Sequence, residues 1–240
     1  MAIKKIKEIS VFFPCYNEEA NVKNTVDKAV PILNKLADKW EILLINDGSR
    51  DNTLKIIEKL ASENKNIRVV NHSVNRGYGA ALKSGFYNSK YELICFTDSD
   101  GQFDFSEVSK LYTKMESTKA DLVIGYYLDR KVPIYRIWGS KVWQLAVFLL
   151  FGLRVRDIDC GFKLIRKKVI DTMPKLEAER GPFITSEFLI HAKKAGFKIV
   201  EIGVHHYERA GGDATGAKLN VILSGLKDLV RLWFKINLHI

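Results

Sequence analysis

A single α/β domain, built on a mostly parallel sheet with helices on both faces, is the fold class this sequence predicts. Three observations predict it. Short, nearly continuous apolar segments alternate with segments of helical period through the first half of the 240 residues. That is how strands buried on both faces and their crossover helices read. A polar cluster follows each of three of these strands, where an open α/β sheet places its ligands. The third observation is composition: 47% hydrophobic and 28% charged residues are globular proportions at a length suited to one domain.

The elements follow in order. Glu8 to Phe13 is β-branched and aromatic and reads as the first strand. Glu18 to Ala37 has helical spacing, with Pro31 expected to kink it. Trp40 to Ile45 is the second strand. Asp51 is placed to cap a helix reaching Ser62. Ile67 to Val70 is a strand, Gly77 to Asn88 a helix rich in small residues, and Leu93 to Thr97 a strand. Ser106 is placed to cap a helix through Met115, and Leu122 to Ile124 is the fifth strand. Beyond residue 125 the alternation stops. Helices are expected over Trp138 to Phe151 and Thr185 to Ala195, and strands over Gly161 to Ile165 and Lys198 to His206. The last helix carries Leu219, Ile222, Leu223, Leu226, Leu229, Val230 and Trp233 at amphipathic spacing. No repeat, low-complexity tract or linker divides the chain.

Charge is asymmetric. The net charge is +10, with 18 basic and 16 acidic residues in 1–120 and 20 basic and 12 acidic in 121–240. A basic second half suits an anionic partner. Nucleic acid is not the expected one, because no helix-turn-helix, zinc or RNA-binding pattern accompanies the charge. Three dispersed cysteines and an N-terminus without an apolar core point to a reduced, cytoplasmic setting. The longest apolar window, Val142 to Leu153, has 12 residues, short of the roughly 18–20 that span a bilayer. The chain is expected to lie on a membrane rather than cross it.

Several clusters can carry chemistry. In Asp98-Ser99-Asp100-Gly101-Gln102, alternate residues of an extended segment point the same way. Asp98, Asp100 and Gln102 thus offer oxygens to one side, as Mg²⁺ and similar hard cations require; a plain polar turn is the competing reading. Asn46-Asp47-Gly48-Ser49-Arg50-Asp51 is a strand-to-helix turn in which Asp47 is left over, free to accept from a nucleobase or ribose. Pro14-Cys15-Tyr16-Asn17-Glu18 offers Tyr16 for stacking and Glu18 for ribose hydroxyls, or is a simple turn. Gly77 and Gly79 free backbone N–H groups at a helix start, which suits phosphate, but the spacing is not that of a dinucleotide loop. Arg136 and Ser140 are i, i+4 neighbours suited to a phosphate. Arg209 precedes Gly211-Gly212, a loop able to close over a pyrophosphate. Glu187 is either a helix-start charge or a functional carboxylate.

Together these clusters resemble the family 2 glycosyltransferases of the GT-A fold, and within them the dolichyl- or polyprenyl-phosphate hexose synthases. The resemblance is carried by residues 13–18, 46–53, 75–77 and 98–102, Arg136 with Ser140, and residues 157–164, in the family's order. It implies a GT-A domain over 1–215, with a nucleotide- and metal-binding half (1–125) and an acceptor half (126–215), followed by an amphipathic, membrane-facing helix over 216–240. It implies a nucleotide-diphosphate sugar donor of the GDP-mannose or UDP-glucose type, held through Pro14, Tyr16, Glu18, Asp47 and Ser99. Mg²⁺ or Mn²⁺ would sit on Asp98, Asp100 and Gln102. A polyprenyl phosphate would meet Arg136 and Ser140, and Arg209 would contact phosphate. Asp100, Arg136 and Arg209 are the expected catalytic set of an inverting transfer at the cytoplasmic face of a membrane. Asn46 stands where the family often has Asp. Tyr127 stands where mannose synthases often have Arg, with Arg130 as the substitute. Two other readings remain: transfer to a sugar hydroxyl with Glu187 as general base, and a non-catalytic nucleotide-sugar-binding or scaffold protein.

Overall fold

A computed structural model gives the structure of the chain, described over residues 5–129, 134–208 and 219–238. The elements in chain order are β1 (Ile6–Cys15), α1 (Val22–Leu36), β2 (Ala37–Asp47), α2 (Thr53–Glu63), β3 (Ile67–His72), α3 (Tyr78–Asn88), β4 (Leu93–Phe96), α4 (Val108–Thr118), β5 (Leu122–Tyr127), α5 (Ile134–Phe151), β6 (Lys163–Arg166), α6 (Lys167–Thr172), α7 (Phe183–Lys194), β7 (Ile199–Val204) and α8 (Leu219–Leu238). A short 3₁₀ turn, Phe105–Glu107, precedes α4.

The seven strands form one sheet in the order β3-β2-β1-β4-β6-β5-β7. Pairing is parallel except around β6, which runs antiparallel to both β4 and β5. The expected parallel sheet is therefore present, with one reversed strand inside it. Alternation in β1 shows why both faces are apolar. Val11 and Phe13 enter a core shared with α1, α2 and α4, while Phe12 enters the opposite core with α3, α7 and α8. Helix α8 belongs to that second core through Leu229 and Leu232.

Several boundaries shift. Residues 18–21 form a turn, so α1 starts at Val22, and it runs through Pro31 to Leu36. Strand β2 follows at once and is 11 residues long. The cap of the turn before α4 is Asp104, whose carboxylate accepts from Ser106 N at 2.9 Å, rather than Ser106. At α2 the N-cap position falls on Asn52 rather than on Asp51, although the Asp51 carboxylate, one residue earlier, accepts from Thr53 N at 3.0 Å. Helix α6 had no sequence signal. On α8, the apolar residues divide between two surfaces: Leu229 and Leu232 are buried, whereas Leu226, Val230 and Phe234 are exposed.

Candidate active site

The loops after β1 and β2 are laced together by hydrogen bonds. Asn17 N donates to Ser49 Oγ (3.1 Å), and Arg50 N donates to Asn17 Oδ1 (2.8 Å). Glu18 N donates to Thr53 Oγ1 (2.7 Å), Glu19 N to Asp51 Oδ2 (3.1 Å), and Asn52 N to Glu19 Oε2 (2.9 Å). Asn17 adopts a left-handed φ of 57°, which the short Asn side chain tolerates and which lets it bond into the facing loop. Tyr16 is half-buried on this rim. Glu18 is buried, and its Oε2 accepts from Asn21 Nδ2 at 2.8 Å.

Asp47, expected to be free for a nucleoside, is 3% exposed. Its Oδ1 bonds His72 Nδ1 (2.7 Å) and accepts from Arg76 N (3.0 Å). Its Oδ2 accepts from Asn75 Nδ2 (3.0 Å) and Gly77 N (2.7 Å). All four favourable acceptor directions are used, so a nucleoside contact from Asp47 requires giving one up. The glycines that suggested a phosphate loop serve close packing instead. An added Cβ at Gly77 would stand 2.6 Å from Arg180 Cα, and one at Gly79 would stand 2.7 Å from Ala178 O. Gly77 also needs its φ of +104°. Its N–H is spent on Asp47, and Ala80 N donates to Glu179 O. Arg76 and Lys83 both pair with Glu179.

The Asp98–Gln102 segment leaves β4 beside these loops. Ser99 turns inward: its hydroxyl donates to Pro14 O (2.6 Å), and Thr25 Oγ1 donates to Ser99 O (3.0 Å). Ser99 therefore anchors the loop to β1 instead of presenting its hydroxyl to a ligand. Asp98 and Asp100 line a cavity that Ser99 and Gln102 do not. Asp98 Oδ1 accepts from the Tyr78 hydroxyl at 3.0 Å. Burial, then the neighbouring charge of Asp100, pushes the Asp98 carboxyl up to about 7. Gln102 N donates to Asp100 Oδ1 (3.0 Å), while its side-chain amide donates to Tyr207 O (2.9 Å). Gln102 thereby ties the loop to the segment that leads toward Arg209. A cavity of about 530 Å³ opens beside the aspartates, floored by Phe13, Phe103 and Phe105.

This donor set fits a hard divalent cation. Two carboxylates crowd one buried rim, where burial and then the charge of Asp100 raise Asp98; a cation supplies the missing positive charge. Among the described residues no group of three or more His, Cys, Asp or Glu side chains could hold a metal. One or two carboxylates completed by water and phosphate oxygens is the usual arrangement for Mg²⁺.

The acceptor-side residues divide. Ser140, on α5, donates to Asp159 Oδ2 at 3.2 Å. Arg136 lies in α5, but its side chain is outside the described residues, as are Arg130 and Arg209. Tyr127, at the position of a family arginine, stacks on Phe103 (ring centroids 6.0 Å apart) and meets the His206 ring edge to face (4.7 Å). Glu187 is not placed as a base. It is 2% exposed, and its two oxygens accept from Glu177 N (2.8 Å) and Ala178 N (2.9 Å). The three cysteines are buried and free, and burial pushes the Cys15 and Cys160 thiols up to about 12. Sequence reasoning missed Tyr78, which lies 20 residues from Asp98 on another element and has no spacing signal.

The sequence pattern of glycosyl transferase family 2 matches residues 10–173. Undecaprenyl-phosphate 4-deoxy-4-formamido-L-arabinose transferases of Salmonella choleraesuis and Salmonella paratyphi B are each 32% identical over 219 residues, 90% of this chain. The chain spans 65% of the length of these relatives. Among solved structures, glucosyl-3-phosphoglycerate synthase of Mycobacterium tuberculosis, crystallised with Mn²⁺, UDP and glucosyl-3-phosphoglycerate, superposes with a TM-score of 0.69. It is 21% identical, over 95% of this chain and 79% of that one. The same enzyme with Mn²⁺ and UDP-glucose gives a TM-score of 0.67 at 23% identity, over 95% and 78%. These structures share the fold.

Proposed function

The chain belongs to glycosyl transferase family 2, and from that premise we propose that it moves a sugar from a nucleotide-diphosphate sugar to a polyprenyl phosphate. The observation that carries the reading is the pair Asp98 and Asp100, held at the ligand edge of the sheet with the Asp98 carboxyl raised by burial and by its neighbour. Asp98 and Asp100 would hold Mg²⁺ or Mn²⁺. When bound, the cation neutralises charge on the departing nucleoside diphosphate. Tyr16 and the laced 17–19 and 49–53 loops form the rim for the nucleoside, of the GDP-mannose or UDP-glucose type.

The polyprenyl phosphate is proposed from the named relatives and from chemistry. A phosphate monoester is anionic near neutral pH, so the enzyme needs to align it rather than deprotonate it. Arg136 and Ser140 would do so, with Ser140 exchanging Asp159 for phosphate. The competing transfer to a sugar hydroxyl loses its proposed base, since both Glu187 oxygens are bonded to backbone amides.

The membrane surface is proposed from α5 and α8. No helix among the described residues is long and apolar enough to cross a membrane. Trp138, Val142, Leu145 and Leu149 nevertheless form an exposed stripe on α5, beside exposed Leu226, Val230 and Phe234 on α8. Lys227, Arg231 and Lys235 are exposed on the same helix. Apolar residues flanked by basic ones suit peripheral docking on an anionic leaflet, here the cytoplasmic face.

Incubating the purified protein with radiolabelled UDP- and GDP-sugars, Mn²⁺ and a short polyprenyl phosphate tests the reading. Labelled lipid is expected with one donor. Nucleotide binding with no labelled product from any donor would instead indicate a binding protein.

A further inference from the structure

We propose that Tyr78 is the positioning residue of Asp98, and that Tyr78 and Gly161 together clamp this carboxylate in the orientation a divalent cation requires. The inference rests on the metal-dependent reading above. The Tyr78 hydroxyl donates to Asp98 Oδ1 at 3.0 Å. On the other side, an added Cβ at Gly161 would overlap Asp98 Oδ2 and stand 2.8 Å from Asp98 Cγ. The carboxylate is thus bounded by a phenol from α3 and by backbone from the 157–161 loop. Neither neighbour is close to it in sequence.

Both jaws are held from behind. Tyr78 opens α3, and the residue before it is fixed by the Gly77 N–H bond to Asp47 and by the backbone of residues 179–180 packed against it. The tyrosine ring therefore has a set origin. The Gly161 jaw is held by Lys163, a lysine with 0% exposure at the start of β6. Its ammonium donates to Ile158 O at 3.2 Å and to Cys160 O, drawing the loop together. It also lies 5.3 Å from the ring centre of Phe96, two residues before Asp98. A buried ammonium is stable only when paired or fully hydrogen-bonded, so the loop and the lysine constrain each other.

A hydrogen bond to a ligating carboxylate orients it without adding net charge. Residues that support a ligand this way typically change metal affinity about 10–100-fold when removed. Tyr78→Phe keeps the ring and removes only the donor. The test measures Mn²⁺ affinity by the electron paramagnetic resonance signal of free Mn²⁺, in the presence of UDP and separately of GDP, for wild type, Tyr78→Phe, Gly161→Ala and Tyr91→Phe. Tyr91 precedes β4 at the opposite end of that strand and serves as the control. The Mn²⁺ Kd is expected to rise about 10-fold or more for Tyr78→Phe and Gly161→Ala, and to stay within twofold for Tyr91→Phe. A Tyr78→Phe protein that melts lower but keeps its Mn²⁺ Kd would show a packing role only and overturn the proposal. Unchanged affinity in both site variants would do the same while leaving the metal-dependent reading intact. A wild-type protein that binds no Mn²⁺ with either nucleotide overturns both.

Discussion

Asp47→Asn separates a structural carboxylate from a ligand-binding one. The carboxylate accepts backbone N–H bonds on both oxygens, from Arg76 on Oδ1 and from Gly77 on Oδ2. An asparagine has one acceptor oxygen, so whichever way its amide turns, one backbone N–H faces an NH₂ group. His72 and Asn75 can partly adjust by tautomer and amide flip, but the backbone cannot. Each charge-assisted bond contributes about 1.5–3 kcal/mol, and a stranded buried donor costs about 1–3 kcal/mol. One to two such losses predict about 2–5 kcal/mol of destabilisation. For a chain of this size each kcal/mol lowers Tm by about 2–4 °C, so Asp47→Asn should melt roughly 4–20 °C lower. The assay is thermal unfolding by circular dichroism without nucleotide, paired with titration of UDP and GDP. A Tm within 2 °C of wild type, together with lost nucleotide affinity, would refute the reasoning and restore Asp47 as a direct nucleoside contact.

Three further outcomes are expected. Asp100→Ala should abolish sugar transfer in the labelled-lipid assay while leaving the far-ultraviolet spectrum unchanged; wild-type-like turnover with metal present would remove Asp100 from the site. Leu149, 72% exposed on α5, should tolerate Glu with less than about 0.5 kcal/mol of stability change. Burying a leucine is worth about 1.5–3 kcal/mol, so Leu149→Glu should bind anionic liposomes roughly 10–100-fold more weakly in co-sedimentation; equal partition would exclude this face. Glu107 gives a pH signature. Burial opposes its ionisation, but bonds from Lys110 Nζ (2.7 Å), His205 N (2.9 Å) and His205 Nδ1 (2.8 Å) outweigh burial and hold its carboxyl below the ordinary 4.5. A depressed carboxylate stabilises the fold above its unfolded value, and that contribution is lost as pH falls below about 4.5 through the folded value. Urea midpoints should drop over this acid window, and Glu107→Gln should flatten the drop.

Most of the architecture of residues 1–125 was legible because it is written in local pattern. The β1, β2 and β4 segments are apolar runs ended by polar turns; of the alternating residues Asp98, Asp100 and Gln102, the two aspartates line the cavity, whereas the Gln102 amide is bonded to Tyr207 O and Ser99 turns inward to Pro14 O. The bonding partners that local pattern left unpredicted share one cause. Asp47, Ser99 and Glu187 are polar residues on or near the ligand edge, and residue type alone does not reveal whether backbone groups will occupy them. Asp47 is filled by residues 72–77, Ser99 by Pro14, and Glu187 by residues 177–178. Likewise, Gly77 and Gly79 admit either a phosphate or a neighbouring chain, and the 178–180 segment took the space.

What the sequence determined by itself is the set of periodic elements, the class of sheet they build and the edge on which the polar turns gather. These depend on side-chain alternation and local backbone preference, both of which act over a few residues. Only the tertiary structure decided that β6 runs backward between β4 and β5, that Lys163 is buried behind the 157–161 loop, and that Tyr78 reaches Asp98. Each of these is a contact between segments distant in the chain. Each is selected by which buried polar groups find partners when the two cores close on the sheet.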